Sequence, residues 1–227
     1  MKTHKTPIYI FFGPPGSGKG EQSKRLSKHL SIPHISSGDL LRAECSKGTP
    51  LGLYFNEIIK KGHFPPDEHI VRLIEERIRN DDCTNGFILD GVPRTLNQAK
   101  IVDEKFLDTH KLYFIKVSIL KETLLKRLLG RRVCPNCSKT YHIQFMPPEK
   151  ENLCDLCQTH LITRNDDQED VILERLKIFN DQFSQMLNYY KDRENWIEIQ
   201  SEGSPQECFN ALIHSLDEIT SILVQTP

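Results

Sequence analysis

The sequence predicts an α/β fold in which a parallel β-sheet is covered by helices on both faces, with a small metal-binding unit inserted late in the chain. Three observations lead to this prediction. Short apolar runs alternate with helical patterns along the 227 residues, as they do in parallel sheets. A glycine-rich loop at residues 13–19 joins the first apolar run to a helical pattern. Two Cys-x-x-Cys pairs interrupt the alternation between Arg131 and about Asp167.

The apolar runs are short and bounded by polar or turn-forming residues, which favours strands. They lie at residues 8–12, 33–35, 86–90, 112–117 and 196–199. Residues 23–30 have an amphipathic helical pattern. The C-terminal segment spaces its apolar residues by three and four, which predicts a helix with one buried stripe. That stripe consists of Cys208, Leu212, Leu216, Ile219 and Leu223.

The glycine-rich loop has the composition of a phosphate-binding loop. Its three glycines allow positive φ angles and a close approach of the backbone to an anion. Lys19 adds a positive charge where the next helix presents unpaired N–H groups. The alternative is a tight strand-to-helix turn that binds nothing. The apolar strand before the loop and the amphipathic helix after it favour phosphate binding.

The residue after Lys19 is Gly20, where most phosphate-binding loops place a Ser or Thr hydroxyl on magnesium. The metal must then be held in another way. Asp90 follows the apolar run at 87–89 and has the pattern of a carboxylate that meets magnesium through water. The alternative for Asp90 is an aspartate that opens a turn before Gly91.

Charge and composition exclude several classes of protein. Thirty Lys and Arg balance thirty-one Asp and Glu, so nothing indicates a nucleic-acid or membrane-surface partner. The N-terminal residues 1–7 are polar and precede only five apolar residues, too few for a signal peptide or a membrane span. We therefore expect a cytoplasmic protein.

The seven cysteines divide into two groups. The pairs Cys134/Cys137 and Cys154/Cys157 are knuckles that can place four thiolates on one tetrahedral zinc ion, and the sixteen residues between them can form a small hairpin. Four sulfur ligands leave no position for water or substrate, so we expect a structural metal; reduced, unligated thiols are the alternative. The isolated cysteines are interpreted as small apolar packing residues, namely Cys45, Cys83 and Cys208.

Arginines accompany the loops expected at one end of the sheet. They are Arg42, Arg94, Arg127, Arg131, Arg132, Arg164 and Arg175. A single arginine is usually a solvated surface charge. In a parallel α/β fold, however, ligands bind outside the carboxyl ends of the strands, where these loops converge.

Five stretches resemble adenylate kinase in order and spacing. They are residues 13–19, 35–42 (ISSGDLLR), 86–95 (GFILDGVPRT), 130–132 (GRR) and 164–167 (RNDD). The cysteine pairs resemble those in the lid of the long, zinc-containing bacterial form. The resemblance covers about residues 8–222. It implies a P-loop core domain at 1–35, 66–129 and 168–227, an inserted AMP-binding helical segment at 36–65 and a zinc-binding lid at 130–167.

The resemblance also implies an activity: reversible in-line transfer of the ATP γ-phosphoryl group to AMP, giving two ADP, by a monomer that maintains adenine nucleotide levels. Magnesium would accompany ATP and meet Asp90 through water. The implied catalytic residues are Lys19, Arg94, Arg127, Arg131, Arg164 and Arg175, with all but Lys19 and Arg94 gathered around the transferred group. The residues implied for ATP are Gly13, Pro14, Pro15, Gly16, Ser17, Gly18, Lys19, Gly20, Glu21, Arg131, Thr140 and Tyr141, with His142 close by. Those implied for AMP are Ser37, Arg42, His63, Phe64, Pro65, Gly91, Arg94, Gln98, Arg164 and Arg175.

The chemistry of the residues agrees with this activity. A phosphate oxygen of AMP is already an anion near neutral pH, so the acceptor needs no side-chain base. The obstacle is repulsion between two polyanions, and several guanidiniums and a lysine address it directly. The acidic pair Asp166 and Asp167 is a candidate latch for a closed lid; a solvated acidic turn is the alternative.

Glu21 departs from the family pattern, which usually has threonine there. A carboxylate facing the phosphates would repel ATP by about 1 to 4 kcal/mol, depending on the local dielectric. An acid in the first helical turn that faces outward is mildly favourable instead. We expect the outward orientation because the other motif positions are intact.

Two other functions remain open at this stage. One is a nucleoside monophosphate kinase with GMP, UMP or CMP as acceptor, because Ser37 stands where many adenylate kinases have threonine. The other is a non-catalytic zinc module that binds nucleic acid or protein through residues 134–157. That segment has few Lys or Arg, which disfavours a phosphate-backbone surface.

Overall fold

The computed structural model describes residues 5–225, with side chains as far as residue 220. Its strands are β1 Thr6–Phe12, β2 His34–Ser36, β3 Phe87–Asp90, β4 His110–Ser118, β5 Arg131–Val133, β6 Thr140–His142 and β7 Trp196–Gln200. Its helices are α1 Lys19–Leu30, α2 Ser37–Ser46, α3 Pro50–Lys60, α4 Asp67–Ile78, α5 Leu96–Phe106, α6 Lys121–Leu129, α7 Glu169–Tyr190 and α8 Pro205–Gln225. No helix within residues 5–225 is long and apolar enough to cross a lipid bilayer.

Five strands form one parallel sheet in the order β2-β3-β1-β4-β7. All five predicted strands are confirmed, with ends shifted by one or two residues. Because β1 is central and its neighbours β3 and β4 run parallel to it, the loops that follow these strands meet at one edge of the sheet. Ligand sites of open α/β sheets lie at this edge.

The two faces of β1 enter two separate apolar cores. Ile8, Ile10 and Phe12 pack in the core beneath α5 and α7, while Tyr9 and Phe11 pack in the core beneath α1 and α8. This alternation arises because successive side chains of a strand point to opposite faces. The prediction of a sheet covered on both faces is therefore confirmed.

The isolated cysteines are packing residues, as predicted. Cys83 belongs to the first core, Cys208 to the second, and Cys45 packs partly buried against the first. The predicted C-terminal stripe is confirmed as far as Ile219, and the side chain of Leu223 lies outside the described residues, as do residues 1–4.

The first helix begins earlier than its apolar pattern indicates. Gly18 is left-handed at φ 88°, and α1 starts at once with Lys19 instead of near residue 23. The first turn carries Lys19, Gly20, Glu21 and Gln22, which give no amphipathic signal because the turn faces the glycine-rich loop.

The cysteine unit, residues 130–167, does not contain the single hairpin that we expected between its two Cys-x-x-Cys pairs. Strands β5 and β6 flank the first knuckle as an antiparallel pair, and Leu153 bridges to His160 across the second. Val133 also bridges to Ile162 and so closes the unit. Each knuckle is thus the turn of its own β pair, which is why the sixteen residues between them do not form one hairpin.

Helices α2 and α3 follow β2 and are delimited by local caps. The Ser36 side chain accepts from Asp39 N, and the Thr49 side chain accepts from Gly52 N ahead of Pro50 at the first helical position. The N-terminus of α2 lies beside the end of β3, where Ser37 Oγ donates to Gly91 O at 2.9 Å.

Candidate active site

The glycine-rich loop adopts a conformation that only glycine tolerates. Gly16 and Gly18 have φ angles of 84° and 88°. A Cβ at Gly13 would lie 2.6 Å from Val117 O, and one at Gly16 would lie 2.7 Å from Leu128 Cγ. Ser17 is fully buried, and its Oγ has no hydrogen-bond partner in the described part of the chain. The loop is therefore a fixed cradle with a free hydroxyl inside it.

Lys19 points back into this cradle, where its Nζ donates to Pro14 O at 3.3 Å. Burial lowers the pKa of Lys19 to about 8, with Asp90 opposing the shift and Arg94 and Arg175 adding to it. The ammonium group is therefore held among like charges that a bound anion would compensate.

Asp90 ends β3 directly beside the start of α1. Its Oδ2 lies 3.1 Å from His34 Nε2, and a Cβ at Gly20 would lie only 3.2 Å from the same oxygen. Burial opposes ionisation, but His34, Lys19 and Arg94 together hold the pKa of Asp90 below its usual value. The space of the usual hydroxyl side chain is thus taken by a carboxylate, which is a ligand type that magnesium prefers.

Arg94 is fixed by three contacts on the other side of the cradle. Its Nε donates to Gly91 O at 2.8 Å, its Nη2 lies 3.5 Å from Ser37 Oγ, and its Cζ lies 4.2 Å from the ring centroid of Phe64. Burial lowers the pKa of Arg94 to about 10, and the charge of Arg175 adds to this effect. Gly91 is required here, since a Cβ would lie 2.8 Å from Arg94 Nη2.

Gln98 lies beneath Arg94 and is almost fully buried. Its Oε1 accepts from Arg94 N at 2.8 Å, and its Nε2 donates to Asp67 Oδ1 at 2.7 Å. Asp67 also accepts from Thr95 Oγ1 at 2.7 Å. Asp67 was not singled out from the sequence, because nothing local connects a residue at the start of α4 to the start of α5.

The remaining residues expected at AMP lie around this group. Arg42 pairs with Asp39 on its own helix, and His63 lies beside Glu174 of α7, with Nε2 and Oε1 3.8 Å apart. Phe64 lies under Arg94, and Pro65 is buried next to it in the chain.

Three arginines converge on an acidic pair between the cysteine unit and α7. Arg131 makes a two-point ion pair with Asp167, in which Nε donates to Oδ2 at 2.8 Å. Arg175 Nη1 lies 2.7 Å from Asp166 Oδ2 and 3.6 Å from Asp167 Oδ1. Burial, followed by the charge of Arg131, lowers the pKa of Arg164 to about 9. Asp166 and Asp167 are therefore not a solvated turn: Asp167 bridges the cysteine unit to α7, and Asp166 pairs with α7.

Arg127 lies beside the glycine-rich loop, since a Cβ at Gly18 would lie 3.7 Å from its Nη1. Its Nη1 donates to Ser201 Oγ at 2.8 Å, and Ser201 Oγ donates to Ser17 O at 2.6 Å. Its neighbouring charges include Glu202, so it lies where β7 leads into α8. Ser201 was missed from the sequence, since it is distant in the chain from the loop that it contacts.

The Tyr141 side chain faces the interior of the cysteine unit. It is almost fully buried, and its Oη donates to Cys154 Sγ at 3.3 Å and accepts from Asp155 N at 2.8 Å. His142 Nε2 lies 3.1 Å from Lys126 O, and its Nδ1 accepts from Phe145 N at 3.0 Å. The Tyr141 side chain therefore supports the unit, and only the backbone of Tyr141 remains for a nucleotide.

The Glu21 side chain lies along its own helix. Arg25 Nε donates to Glu21 Oε1 at 2.8 Å. A partner four residues further along α1 is directed away from the glycine-rich loop that precedes the helix.

The four paired cysteines are arranged to hold one metal ion. Their sulfurs all lie within 4.8 Å of one another, with 3.4 Å between Cys134 and Cys157 and 3.5 Å between Cys137 and Cys154. Zinc–sulfur bonds of about 2.3 Å put tetrahedral thiolates about 3.8 Å apart, so the donor set fits zinc.

A crevice with about 420 Å³ of open space, solvent included, lies between the glycine-rich loop, Arg94 and α7. Its lining includes Gly13, Lys19, Phe64, Arg94 and Arg175. Residues separated by more than a hundred positions thus present positive charge to one space, a geometry that suits the approach of two phosphate chains.

Comparison with known proteins identifies relatives over nearly the whole chain. The family profile described as "Adenylate kinase" matches residues 11–195. A protein named adenylate kinase from Clostridium botulinum, strain Hall, is 42% identical over 209 residues, which are 91% of this chain and 97% of that protein. One from Clostridium perfringens, strain SM101, is 39% identical over 209 residues, which are 89% and 95% of the two chains.

Proposed function

Because this chain belongs to the adenylate kinase family, and catalyses ATP + AMP = 2 ADP, we propose that the residues of the crevice bind the two nucleotides in the roles given below. The observation that carries the assignment is the convergence of Lys19, Arg94 and Arg175 on one crevice beside the glycine-rich loop. The relatives give no support to GMP, UMP or CMP as the acceptor.

The Lys19 side chain and the backbone of residues 13–21 bind the phosphates of ATP. The free backbone N–H groups at the start of α1 and the Lys19 ammonium both face the cradle. Thr140 contacts ATP from the lid, as does Tyr141 through its backbone atoms. Arg127, held by Ser201 beside Gly18, approaches the group in transfer from the loop side.

Arg94 and Arg42 bind the AMP phosphate. Arg94 is already aimed at the crevice by Gly91 and Ser37, so little side-chain entropy is lost when phosphate arrives. Arg42 would exchange its pairing with Asp39 for the phosphate. Ser37, Gly91 and Gln98, together with residues 63–65, surround the nucleoside.

Arg131, Arg164 and Arg175 stabilise the group in transfer. Their side chains converge around Asp166 and Asp167, and Arg175 also lines the crevice. Positive charge there would face the phosphoryl oxygens, over which charge is redistributed in the transition state. No side chain is needed as a base, because the attacking AMP oxygen is already ionised. The chain therefore contributes position and positive charge to the reaction.

Two metal ions have roles in this protein, one in the reaction and one in the fold of the lid. The enzyme uses Mg²⁺ with ATP, and Asp90 is the residue placed to hold it through water; magnesium neutralises phosphate charge when bound. Structural zinc is bound by Cys134, Cys137, Cys154 and Cys157, which supply thiolates only.

Residues 130–167 form a lid that closes over ATP, and residues 36–65 form the AMP-binding segment on the core made by 1–35, 66–129 and 168–227. The pairing of Asp167 with Arg131 on the lid side and Arg175 on the core side supports a latch role for residues 166 and 167. Lid closure excludes water, which would otherwise accept the phosphoryl group.

We also propose that the protein is a cytoplasmic monomer without nucleic-acid or membrane partners. Its charge is nearly balanced, and the cysteines of the described chain form no disulfide, which suits a reducing compartment. Light scattering at working concentration tests the monomer directly.

A crystal structure with a bisubstrate dinucleotide, in which adenosines are joined through a phosphate chain, tests the assignments. We expect phosphate oxygens within hydrogen-bond distance of Lys19, Arg94 and Arg175. Ordered dinucleotide elsewhere, with none beside Lys19, would contradict them. A coupled assay for ADP formation with AMP, CMP, UMP or GMP as acceptor should show turnover with AMP far above the others.

A further inference from the structure

Glu21 poses an electrostatic problem that the crevice residues do not solve. It lies two residues after Lys19, in the first turn of α1, and its own N–H donates to Gly18 O at 3.0 Å. The partial positive charge of a helix N-terminus attracts a carboxylate toward the terminus. The same terminus is where the phosphates of ATP bind under the proposed function. An unrestrained carboxylate there would compete with, and repel, the triphosphate.

Arg25 is placed to prevent this. Its guanidinium has two partners on two different helices: Nε donates to Glu21 Oε1 at 2.8 Å, and Nη1 donates to Gln206 Oε1 at 2.9 Å. A guanidinium is planar with its donors in fixed directions, so two acceptors determine its orientation. The Glu21 carboxylate is thereby held on the side of α1 that faces α8.

Gln206 is itself oriented. Its Nε2 donates to Asn210 Oδ1 at 2.9 Å, one turn further along α8, which leaves Oε1 directed at Arg25. The preceding residue Pro205 accepts from the buried Gln22, with 3.0 Å between Gln22 Nε2 and Pro205 O. The start of α8 is thus attached to the first turns of α1 at two successive residues, which makes it a stable anchor for Arg25.

The pair is also more protected than an ordinary surface pair. The side chains of Arg25 and Glu21 are 32% and 36% exposed, against 78% and 53% for the i,i+4 pair of Arg72 and Glu76 on α4. Partial burial reduces the screening that makes most surface pairs weak. Lys24, which precedes Arg25 on α1, lies toward Asp39, where it adds to the effect of Arg42 in lowering the pKa of that carboxyl against burial.

We propose that Arg25 is a positioning residue for ATP: with Gln206 it holds the Glu21 carboxylate away from the phosphate site, and so permits an acid at this position of the loop. The proposal rests on the proposed function, since it assumes that ATP phosphates bind at Lys19. It assigns no contact between Arg25 and the nucleotide.

The test is a double-mutant cycle read as the Michaelis constant for ATP. In Arg25→Ala we expect the KM for ATP to rise about fivefold at low ionic strength and less in high salt, with kcat and the KM for AMP unchanged. In the Glu21→Thr background the same Arg25→Ala change should leave the KM for ATP unaltered, because no carboxylate remains to be restrained. Arg25→Lys keeps the charge but cannot hold both partners, so it should raise the KM by an intermediate factor.

Arg72→Ala is the matched control, because it breaks an i,i+4 pair far from the loop; its KM for ATP should equal that of the wild type. An equal rise in both backgrounds would overturn the proposal, since Arg25 would then attract ATP directly. No rise in either background would overturn it too, since Glu21 would then need no restraint. A wild-type protein that forms no ADP, or does not bind ATP, would instead refute the proposed function.

Discussion

Short sequence motifs mark both the cysteine unit at residues 130–167 and the crevice lined by Lys19, Arg94 and Arg175. Only in the cysteine unit do the motifs contain all the residues of the site. Two Cys-x-x-Cys pairs supply every zinc ligand, and each pair is the turn of a local β pair. The glycine-rich loop supplies the cradle and Lys19, whereas Asp90, Arg94 and Arg175 come from distant elements.

The zinc site is therefore built from residues that are close in the sequence, whereas the crevice is built from residues that only the folded chain brings together. A metal site of four sulfurs depends on spacing over a few residues, so local damage should stay local. A crevice of mutually repelling cations depends on the whole sheet to hold them, so removing one cation should alter chemistry more than stability. The expected effects below test this contrast in decreasing order.

Removing Arg94 should have the largest effect on turnover. In Arg94→Ala we expect the KM for AMP to rise and kcat for ADP formation to fall about 100-fold or more, because the guanidinium that binds the AMP phosphate also faces the charge redistributed during transfer. The fold should persist, because burial and the charge of Arg175 already disfavour the charged guanidinium in the free protein. Thermal unfolding and a coupled assay measure both properties. The control is Arg79→Ala, which removes an exposed arginine at the end of α4. Wild-type turnover in Arg94→Ala would show that the cations of the crevice do not drive the chemistry.

Removing a zinc ligand should act on the lid first. In Cys154→Ser we expect loss of the bound metal, increased proteolysis and hydrogen exchange within 130–167, and a fall in turnover of about tenfold through poorer lid closure. Metal content is measured by elemental analysis. Cys45→Ser, outside the unit, should keep the metal. Full metal content in Cys154→Ser, or exchange that increases equally throughout the core, would show that the unit is not locally built.

Raising the pH should weaken ATP capture through Lys19. Burial lowers the pKa of Lys19 to about 8. The ammonium group is therefore charged below this pH and neutral above it. We expect kcat/KM for ATP to be nearly level around pH 7, to be about halved near pH 8 and to fall above it, approaching about tenfold per pH unit. At saturating ATP the fall should occur at higher pH, because bound phosphates favour the charged form. A kcat/KM that stays level to pH 10 would contradict this.

Replacing Glu21 should have the smallest effect. Because the carboxylate is paired with Arg25, Glu21→Thr should lower the KM for ATP by less than about threefold. Steady-state kinetics at two salt concentrations measure the change. A large drop would mean that the carboxylate reaches the phosphates, and the loop would then be electrostatically impaired in the wild type.

Much of the fold and part of the site were predictable from the sequence. The five sheet strands were found because buried parallel strands are continuous apolar runs, and the four zinc ligands because their spacing is a local property. The glycines of the loop were found because positive φ angles demand them. The start of α1 was placed too late, since its first turn packs on the loop and has no apolar period.

The partners of the functional residues were not predictable. Ser201, which joins Arg127 to the loop, and Asp67, which anchors Gln98, belong to no motif. The direction of Tyr141 toward Cys154 depends on how the two knuckles face each other.

By itself, the sequence determined the composition of the site: which residues can curve around phosphate, which can bind zinc and which carry positive charge. Only the tertiary structure decided which cations share the crevice, that Asp90 takes the space beside Gly20, and that Arg25 draws Glu21 toward α8. The physical reason is the distance along the chain over which each property is set. Backbone conformation and ligand spacing are set within a few residues, whereas electrostatic partnership depends on distances of a few ångströms that the packed sheet and helices alone establish.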